Sequence, residues 1–374
     1  MKRIQIPTRL EWHKKVENLG FNYHTIGNVY WDESAYYSFS LKQIDTLEQA
    51  TATLWQLYLE ATEYVINKNK FNLFHIPPQF HKHIIDSWEN DVPSIYGRFD
   101  FCYDGISEPK LLEFNADTPT SLFEAGVVQW NWLQDVFPNN DQFNAIHEKL
   151  IDNWTLLKPY LNSKKVYFSC VDASLEDYTN TVYMLDTAMQ AGLEAEFISI
   201  ENLGWNGKYM TDLKEQEVKS IFKLYPWEWM IKENFGVYIP ISNTQWIEPS
   251  WKILMTSKAM LPILWELFPK HKNLLACYTN NSKLNSYAKK PIFSREGDNI
   301  TLVEKGIEIS LTNGVYGTEG YIYQELCKLP NFDGNYPVIG SWIIGQDPAG
   351  IGIRETKSLI TDNLSRFLPH LIEG

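Results

Sequence analysis

Residues 164–200 commit the chain to a parallel pair of strands. "KKVYFSCVD" reads as a strand, "LEDYTNTVYMLDTAMQAGL" as a helix closing at Gly192, and "EAEFISI" as a second strand. A helical crossover returns the chain so that the second strand runs with the first, which is a βαβ unit. A small α/β layer is therefore expected. Ligands favour the carboxyl ends of such strands, which draws attention to Asp172 and the "SLED" turn.

The rest of the chain is not built on that repeat. "DTLEQATATLWQLYLEATEYVINK" (45–68) carries apolar residues at three- and four-residue steps, predicting an amphipathic helix with Asp45 as N-cap. "PPQFHKHIIDSWEND" (77–91) opens on prolines and predicts a second helix, with His81 and His83 at its surface. "GRFDFCYDG" and "EPKLLEFNAD" read as two strands of a hairpin, and a helix is expected to begin at Ser121. "WKILMTSKAMLPILWELF" (251–268) reads as helix with a break at Pro262. "YAKKPIFSREGDNITLV" (287–303) reads as strand, glycine-bearing turn and strand, and "YPVIGSWIIGQDPAGIGIRET" as a hairpin.

Composition narrows the function classes. The 374 residues exceed what one compact core normally uses, and 44% hydrophobic content supplies a large interior. With 33 basic against 46 acidic residues, net charge −13, the chain lacks the basic footprint of a general nucleic-acid binder. The same balance tolerates a cationic ligand. Cys102, Cys170, Cys277 and Cys327 are scattered without a C-x-x-C pair, which argues against a disulfide framework or a zinc site and fits a reducing compartment. The first residues carry no apolar signal segment, and no apolar run reaches the roughly 20 residues of a membrane helix. A cytoplasmic protein without membrane attachment is expected.

Three stretches can carry chemistry. In "LLEFNADTPTS", Glu113 and Asn115 share a strand face, and Arg98 and Asp100 are likewise two apart on the neighbouring strand. Two carboxylates and an amide oxygen suit Mg²⁺, and an adjacent arginine fits a metal-bound phosphate. A salt-bridged sheet face followed by a turn is the competing reading. In "KKPIFSREGDN", Lys290 and Arg295 flank a turn containing Gly297, an arrangement able to cover nucleotide phosphates. Arg354 follows a glycine-rich hairpin and could fork onto a phosphoryl or carboxylate group, or form a surface ion pair. G-x-x-x-x-G-K-[ST], G-x-S-x-G and H-E-x-x-H do not occur.

Taken in order, "RFDF…LLEFNADTPTS", "EPSWKILMTSKAMLPILWELFP", "KKPIFSREGDNI" and "GIRE" resemble the synthetase domain of the glutathionylspermidine synthase family, in its stand-alone acid–amine ligase form. The resemblance covers nearly the whole chain from about residue 25. It implies a mixed α+β and α/β molecule: a circularly permuted ATP-grasp-like fold with a small βαβ lobe. One synthetase unit, 1–374, would comprise a helical segment (1–90), a metal-binding part (91–160), an α/β substrate lobe (161–250), an ATP-gripping lid (251–320) and a return to the core (321–374).

The resemblance also implies residue roles. Asp100, Glu113 and Asn115 would hold Mg²⁺, and Lys258, Lys290, Arg295 and Gly297 would contact ATP. Gln324, Glu325 and Leu326 would form the adenine-contacting hinge, with Arg98 and Arg354 around the reacting phosphoryl and acyl groups. Glu176 and Asp177 would receive a cationic amine, of which a polyamine is the family's example, with Thr118 and Thr120 as substrate-side hydroxyls. Small-molecule acids and amines are the implied partners. Leu224 stands where a hydroxyl near glutathione is expected, and Glu296 where the bifunctional enzymes have Cys, departures that bear against glutathione as the acid substrate. Nothing resembles their amidase domain. Alternatives to a ligase are a non-catalytic nucleotide-binding module and a kinase-like ATP-grasp enzyme.

Overall fold

A computed structural model describes residues 1–362 and 365–373. Its centre is a five-stranded antiparallel sheet, ordered Arg366–Leu368, Asp347–Thr356, Tyr336–Ile344, Tyr96–Cys102, Lys110–Asn115. The two hairpins expected from the sequence, 97–115 and 336–356, thus lie side by side in one sheet. The Tyr96–Cys102 strand is buried along its whole length, Arg98 and Asp100 included. Burial of charge on that scale requires partners: Arg98 and Asp100 pair with each other, and Asn115 and Arg354 from other strands of the sheet add to Asp100.

One face of this sheet is covered by the helix Leu41–Asn67, which buries Leu47, Ala50, Leu54, Tyr58, Ala61 and Val65. Tyr58 meets the stacked rings of Phe99 and Phe114 edge-on. Each such side chain contributes about 1.5–3 kcal/mol by leaving water. The helix begins four residues before the predicted Asp45. Ser40 is the N-cap, accepting from the Gln43 amide while the Gln43 side chain accepts from the Ser40 amide. This reciprocal capping box satisfies two N–H groups, which an exposed Asp45 inside the helix does not.

The opposite face receives the helix Ile146–Leu157 and a π-helical turn, Glu124–Val128, that leads into the helix Gln129–Val136. Ser121 lies just outside this element, at φ 67°, and its carbonyl accepts from the Ala125 amide. Gly352 permits the close approach, because a Cβ there would lie 2.7 Å from Phe367 and 3.4 Å from Ala125.

The predicted βαβ unit is present. Lys165–Cys170, the helix Leu175–Gln190 and Glu194–Ser199 belong to a four-stranded parallel sheet, completed by Ser220–Leu224 and Gln245–Ile247. A third, antiparallel sheet runs Cys277–Tyr278, Tyr321–Glu325, Tyr287–Pro291, Thr301–Glu304, Ile307–Leu311. We refer to it as the side sheet.

Two local expectations need correction. Residues 252–267 form two helices, Lys252–Thr256 and Met260–Leu267, and the break falls at Ser257 rather than at Pro262. Pro262 sits in the first turn of the second helix, where an N–H has no intrahelical acceptor and its loss costs little. His81 and His83, expected on the surface of the helix Pro78–Glu89, are half-buried. His81 stacks on Phe71 and bonds the Ile76 carbonyl, while burial brings the His83 imidazole down to about 4. Among the described residues no helix is long and apolar enough to cross a membrane.

Candidate active site

Sheet register assembles the charged residues. Across the Tyr96–Cys102 and Lys110–Asn115 strands, Arg98 stands opposite Asn115 and Asp100 opposite Glu113, just before a bulge. The next strands bring Arg354. The Arg98 guanidinium donates to Asp100 through Nε at 2.7 Å and Nη2 at 3.0 Å, and Arg354 Nη2 reaches the same carboxylate at 3.2 Å. Asn115 Nδ2 points at both acids, 3.2 Å from Asp100 Oδ2 and 3.4 Å from Glu113 Oε1.

The side sheet and the bend between the two short helices add lysines. Lys258 Nζ lies 3.0 Å from Glu113 Oε2 and donates to the Ser294 carbonyl at 2.9 Å. Lys290 Nζ donates to Leu112 O at 2.9 Å and to Gln324 Oε1 at 2.8 Å. Gln324 in turn donates to Leu111 O, so the predicted hinge residue holds the lysine against the strand that carries Glu113. Burial would raise the Glu113 carboxyl, but Lys258 and Lys290 outweigh it and bring it to about 2. Burial lowers the Lys290 ammonium to about 8 despite the opposing pull of Glu113.

Asn115 lies within 3.4 Å of both Asp100 and Glu113, which stand opposite each other in the sheet. Two carboxylates and an amide, whose oxygen replaces its nitrogen by a simple flip, make a hard-oxygen donor set that fits Mg²⁺. Asp117, two residues beyond Asn115 in the same stretch, is elsewhere. It is fully buried, paired with Lys223 at 2.6 Å and accepting from the Trp227 amide at 2.8 Å.

Asp100, Glu113, Lys258, Lys290 and Arg354 line one part of a cleft between the central and side sheets. Its other end is apolar, lined by Ala288, Leu302, Leu326, Leu329, Val338 and Ile360. Glu325 also lines it, with its amide bonded to the Ala276 carbonyl. Gly297 borders the cleft at φ 74°, and a Cβ there would come within 2.4 Å of the Thr361 carbonyl oxygen. Both the backbone conformation and the space require glycine.

Arg295 turns away from this cleft wall. Its Nε and Nη2 grip Glu228 Oε1 at 3.1 and 2.8 Å, Nη1 donates to Thr118 Oγ1 at 2.7 Å, and the guanidinium lies over Trp229. Thr120 accepts from Arg98 through its carbonyl at 2.6 Å and bonds Glu176 through its side chain. Burial raises the carboxyls of Glu176 and Asp177, and of Glu296, beyond their ordinary range. Leu224 is 3% exposed and packed in the second hydrophobic core. Asp172 is exposed and accepts from Ser199, apart from the cleft.

Sequence reading missed two acids. Glu228 pins Arg295. Glu124 is wholly buried, with Oε1 accepting from Tyr30 at 2.7 Å and Tyr23 at 3.1 Å and Oε2 lacking a partner among the described residues; burial and then Glu176 raise it to about 7. The signal was available: both glutamates interrupt apolar runs, "SLFEAGVV" and "YPWEWM".

The glutathionylspermidine synthase preATP-grasp family model matches residues 3–373. The chain belongs to the glutathionylspermidine synthase family. A Haemophilus influenzae protein named provisionally as an acid–amine ligase is 39% identical, over 99% of each chain. Trypanothione synthetase of Crithidia fasciculata is 30% identical over 84% of this chain and 53% of its own, so this chain spans about half of that relative. Among solved structures, a glutathione synthetase-like effector from Globodera pallida superposes with a TM-score of 0.53, covering 90% of this chain and 89% of its own at 11% identity. That likeness concerns the fold. The family is one of ligases, and this chain is a member of it.

Proposed function

We propose that the protein is an ATP- and Mg²⁺-dependent acid–amine ligase that makes an amide bond through an acyl phosphate. The observation that carries this is the cleft itself. An apolar wall suited to a purine ends at Lys258 and Lys290, and these abut an oxygen-donor cluster backed by Arg98 and Arg354.

Asp100, Glu113 and Asn115 would hold Mg²⁺, which when bound neutralises phosphate charge and aligns the γ-phosphoryl group. Lys258 and Lys290 orient the phosphates of the nucleotide substrate. Gln324, Glu325 and Leu326 edge the adenine end, and Gly297 lets the 294–298 turn approach the phosphates. Arg98 and Arg354 stabilise charge on the carboxylate substrate as it attacks the γ-phosphate, and Arg354 then faces the tetrahedral intermediate formed by the amine. Arg295, Thr118 and Thr120 border the acid side.

Glu176 and Asp177, both held above their ordinary range by burial, are relieved by a cationic group, which supports a polyamine-like tail there. The architecture we infer is a permuted ATP-grasp, with metal ligands preceding the nucleotide-gripping lysines, in the lobes 1–90, 91–160, 161–250, 251–320 and 321–374. We infer cytoplasmic residence, which the four free cysteines support.

ADP release from ATP and Mg²⁺, screened over a matrix of small acids and amines, tests the reading. Turnover requiring one acid and one amine together supports it. Turnover with acid alone points to a kinase-like enzyme, and nucleotide binding without turnover to a regulatory module.

A further inference from the structure

Arg98 and Arg354 share the acid Asp100 but are held very differently. Arg98 makes three hydrogen bonds, two to Asp100 and one to the Thr120 carbonyl. Among the described residues Arg354 makes one, at 3.2 Å to Asp100 Oδ2, and its side chain is 22% exposed. A single bond at the long end of the usual range does not fix a side chain with several rotatable bonds. The direction of Arg354 is therefore set largely by the backbone that carries it.

That backbone is anchored one residue further on. Glu355 follows Arg354 in the strand Asp347–Thr356, projects to the other face of the sheet and is fully buried. Arg3 donates to it twice, Nε to Oε2 at 2.6 Å and Nη2 to Oε1 at 3.0 Å. The Tyr37 hydroxyl donates to Oε2 and Arg366 Nη2 to Oε1, so each carboxylate oxygen has two donors. Two cross-strand pairs from separate sheets meet at this point. Glu355 stands opposite Arg366 in the central sheet, and Arg3 stands opposite Tyr37 where the strand Lys2–Gln5 pairs with Ala35–Phe39. Arg366 is fixed in turn by Asp32 at 2.6 Å and Asn335 at 2.9 Å.

We propose that Glu355 is a positioning residue for Arg354, and that Arg3 and Tyr37, from the first strands of the chain, belong to the same device. The inference rests on the ligase reading for the reaction that Arg354 serves. Desolvation offsets much of the attraction in a buried ion pair, so stability alone is a poor reason for two arginines on one acid. Four charge-assisted donors on one carboxylate restrict the place and twist of the strand at Glu355. Strand alternation passes that restriction to Arg354 on the opposite face. Placement of this kind is steep in distance: a displacement near 1 Å costs about 100-fold in rate.

The test uses the full chain at a temperature where circular dichroism shows every variant folded. Arg3→Ala leaves Glu355 its bonds to Arg366 and Tyr37. Its kcat is expected to fall about tenfold, while KM for ATP and calorimetric ADP affinity change less than twofold. Arg3→Lys returns the charge without the fork and should recover part of the loss. Tyr37→Phe removes a single hydroxyl and should lower kcat in the same direction by about threefold, which keeps the test open if Arg3→Ala does not fold. Lys2→Ala breaks only the exposed pair with Glu373 on the same strand and should match the wild type. In a crystal structure of Arg3→Ala, Arg354 Nη2 should be withdrawn from Asp100. Variants that lose thermal stability yet keep wild-type kcat would make Glu355 a structural ion only and overturn the proposal. If no acid–amine pair supports turnover by the wild type, the ligase reading fails; the crystal structure still decides the clamp, and an unmoved Arg354 overturns it.

Discussion

Lys258 Nζ sits 3.0 Å from Glu113 Oε2, so the acid we assign to the metal is ion-paired with a lysine we assign to ATP. The pair holds the cluster together in the absence of ligand, and it makes Glu113 the electrostatic keystone: without its charge, Lys258 and Lys290 repel each other across a buried site. Glu113→Gln should reduce ATP turnover by at least about 100-fold. The sign with pH is fixed as well. Because the folded carboxyl titrates at about 2, below its ordinary 4.5, its contribution to stability is present above pH 4.5 and is lost as pH falls toward 2. Acid unfolding of wild type and Glu113→Gln should therefore differ above pH 4.5 and converge below 2. Equal turnover by the variant would remove Glu113 from the chemistry.

Lys290 leads to a prediction on proton uptake. Its ammonium is held near 8, so at pH 8.5 most ligand-free molecules carry it neutral. A triphosphate favours the charged form, and ATP binding should then take up a proton at pH 8.5 but little at pH 6.5. Calorimetry in buffers of different ionisation enthalpy measures this directly. Lys290→Arg should abolish the difference, since guanidinium stays charged throughout.

Glu124 behaves in the opposite sense. Burial and the nearby Glu176 put its folded carboxyl at about 7, above the ordinary 4.5, so the folded state binds the extra proton and stability declines as pH rises from 4.5 through 7. Glu124→Gln keeps an oxygen for Tyr30 and Tyr23 and carries no charge. We expect it to be more stable than wild type at pH 8, by about 1–3 kcal/mol, and nearly equal at pH 4.5. Urea unfolding at the two pH values decides it, and a variant less stable at pH 8 would contradict the assignment.

Arg295 is held by two parts of the fold, Glu228 and Thr118. Glu228→Ala removes a charged hydrogen bond of about 1.5–3 kcal/mol and frees the side chain. Turnover should fall about tenfold while ADP affinity changes less than twofold, because we assign the arginine to the acid side rather than the purine end. A loss confined to ADP affinity would move Arg295 to the nucleotide.

Much of this was legible in the chain. The two hairpins and the βαβ unit were readable because period-two and helical patterns are local. Burial of Arg98 and Asp100 and their pairing with Asn115 and Glu113 were not, since register is set by the sheet as a whole. Asp117 continues the alternation on paper, but the strand ends at Asn115 and the turn directs it to Lys223. Ser40 was overlooked because its capping partner is a glutamine and Asp45 is equally good cap chemistry. Leu224, at the position where the resemblance expects a hydroxyl, packs in the second core, which its apolar side chain suits. Arg354, open between a surface ion pair and a site role, bonds Asp100.

The Lys223–Asp117 pair, with both side chains sealed from solvent, constrains the history of the chain as well as its fold. Either residue changed alone strands a charge in the interior at about 3–5 kcal/mol, enough to consume a large share of a domain's stability. A lineage can therefore leave this pairing only by exchanging both residues nearly together. Homologues should carry either both ions or two neutral side chains, with mixed combinations scarce.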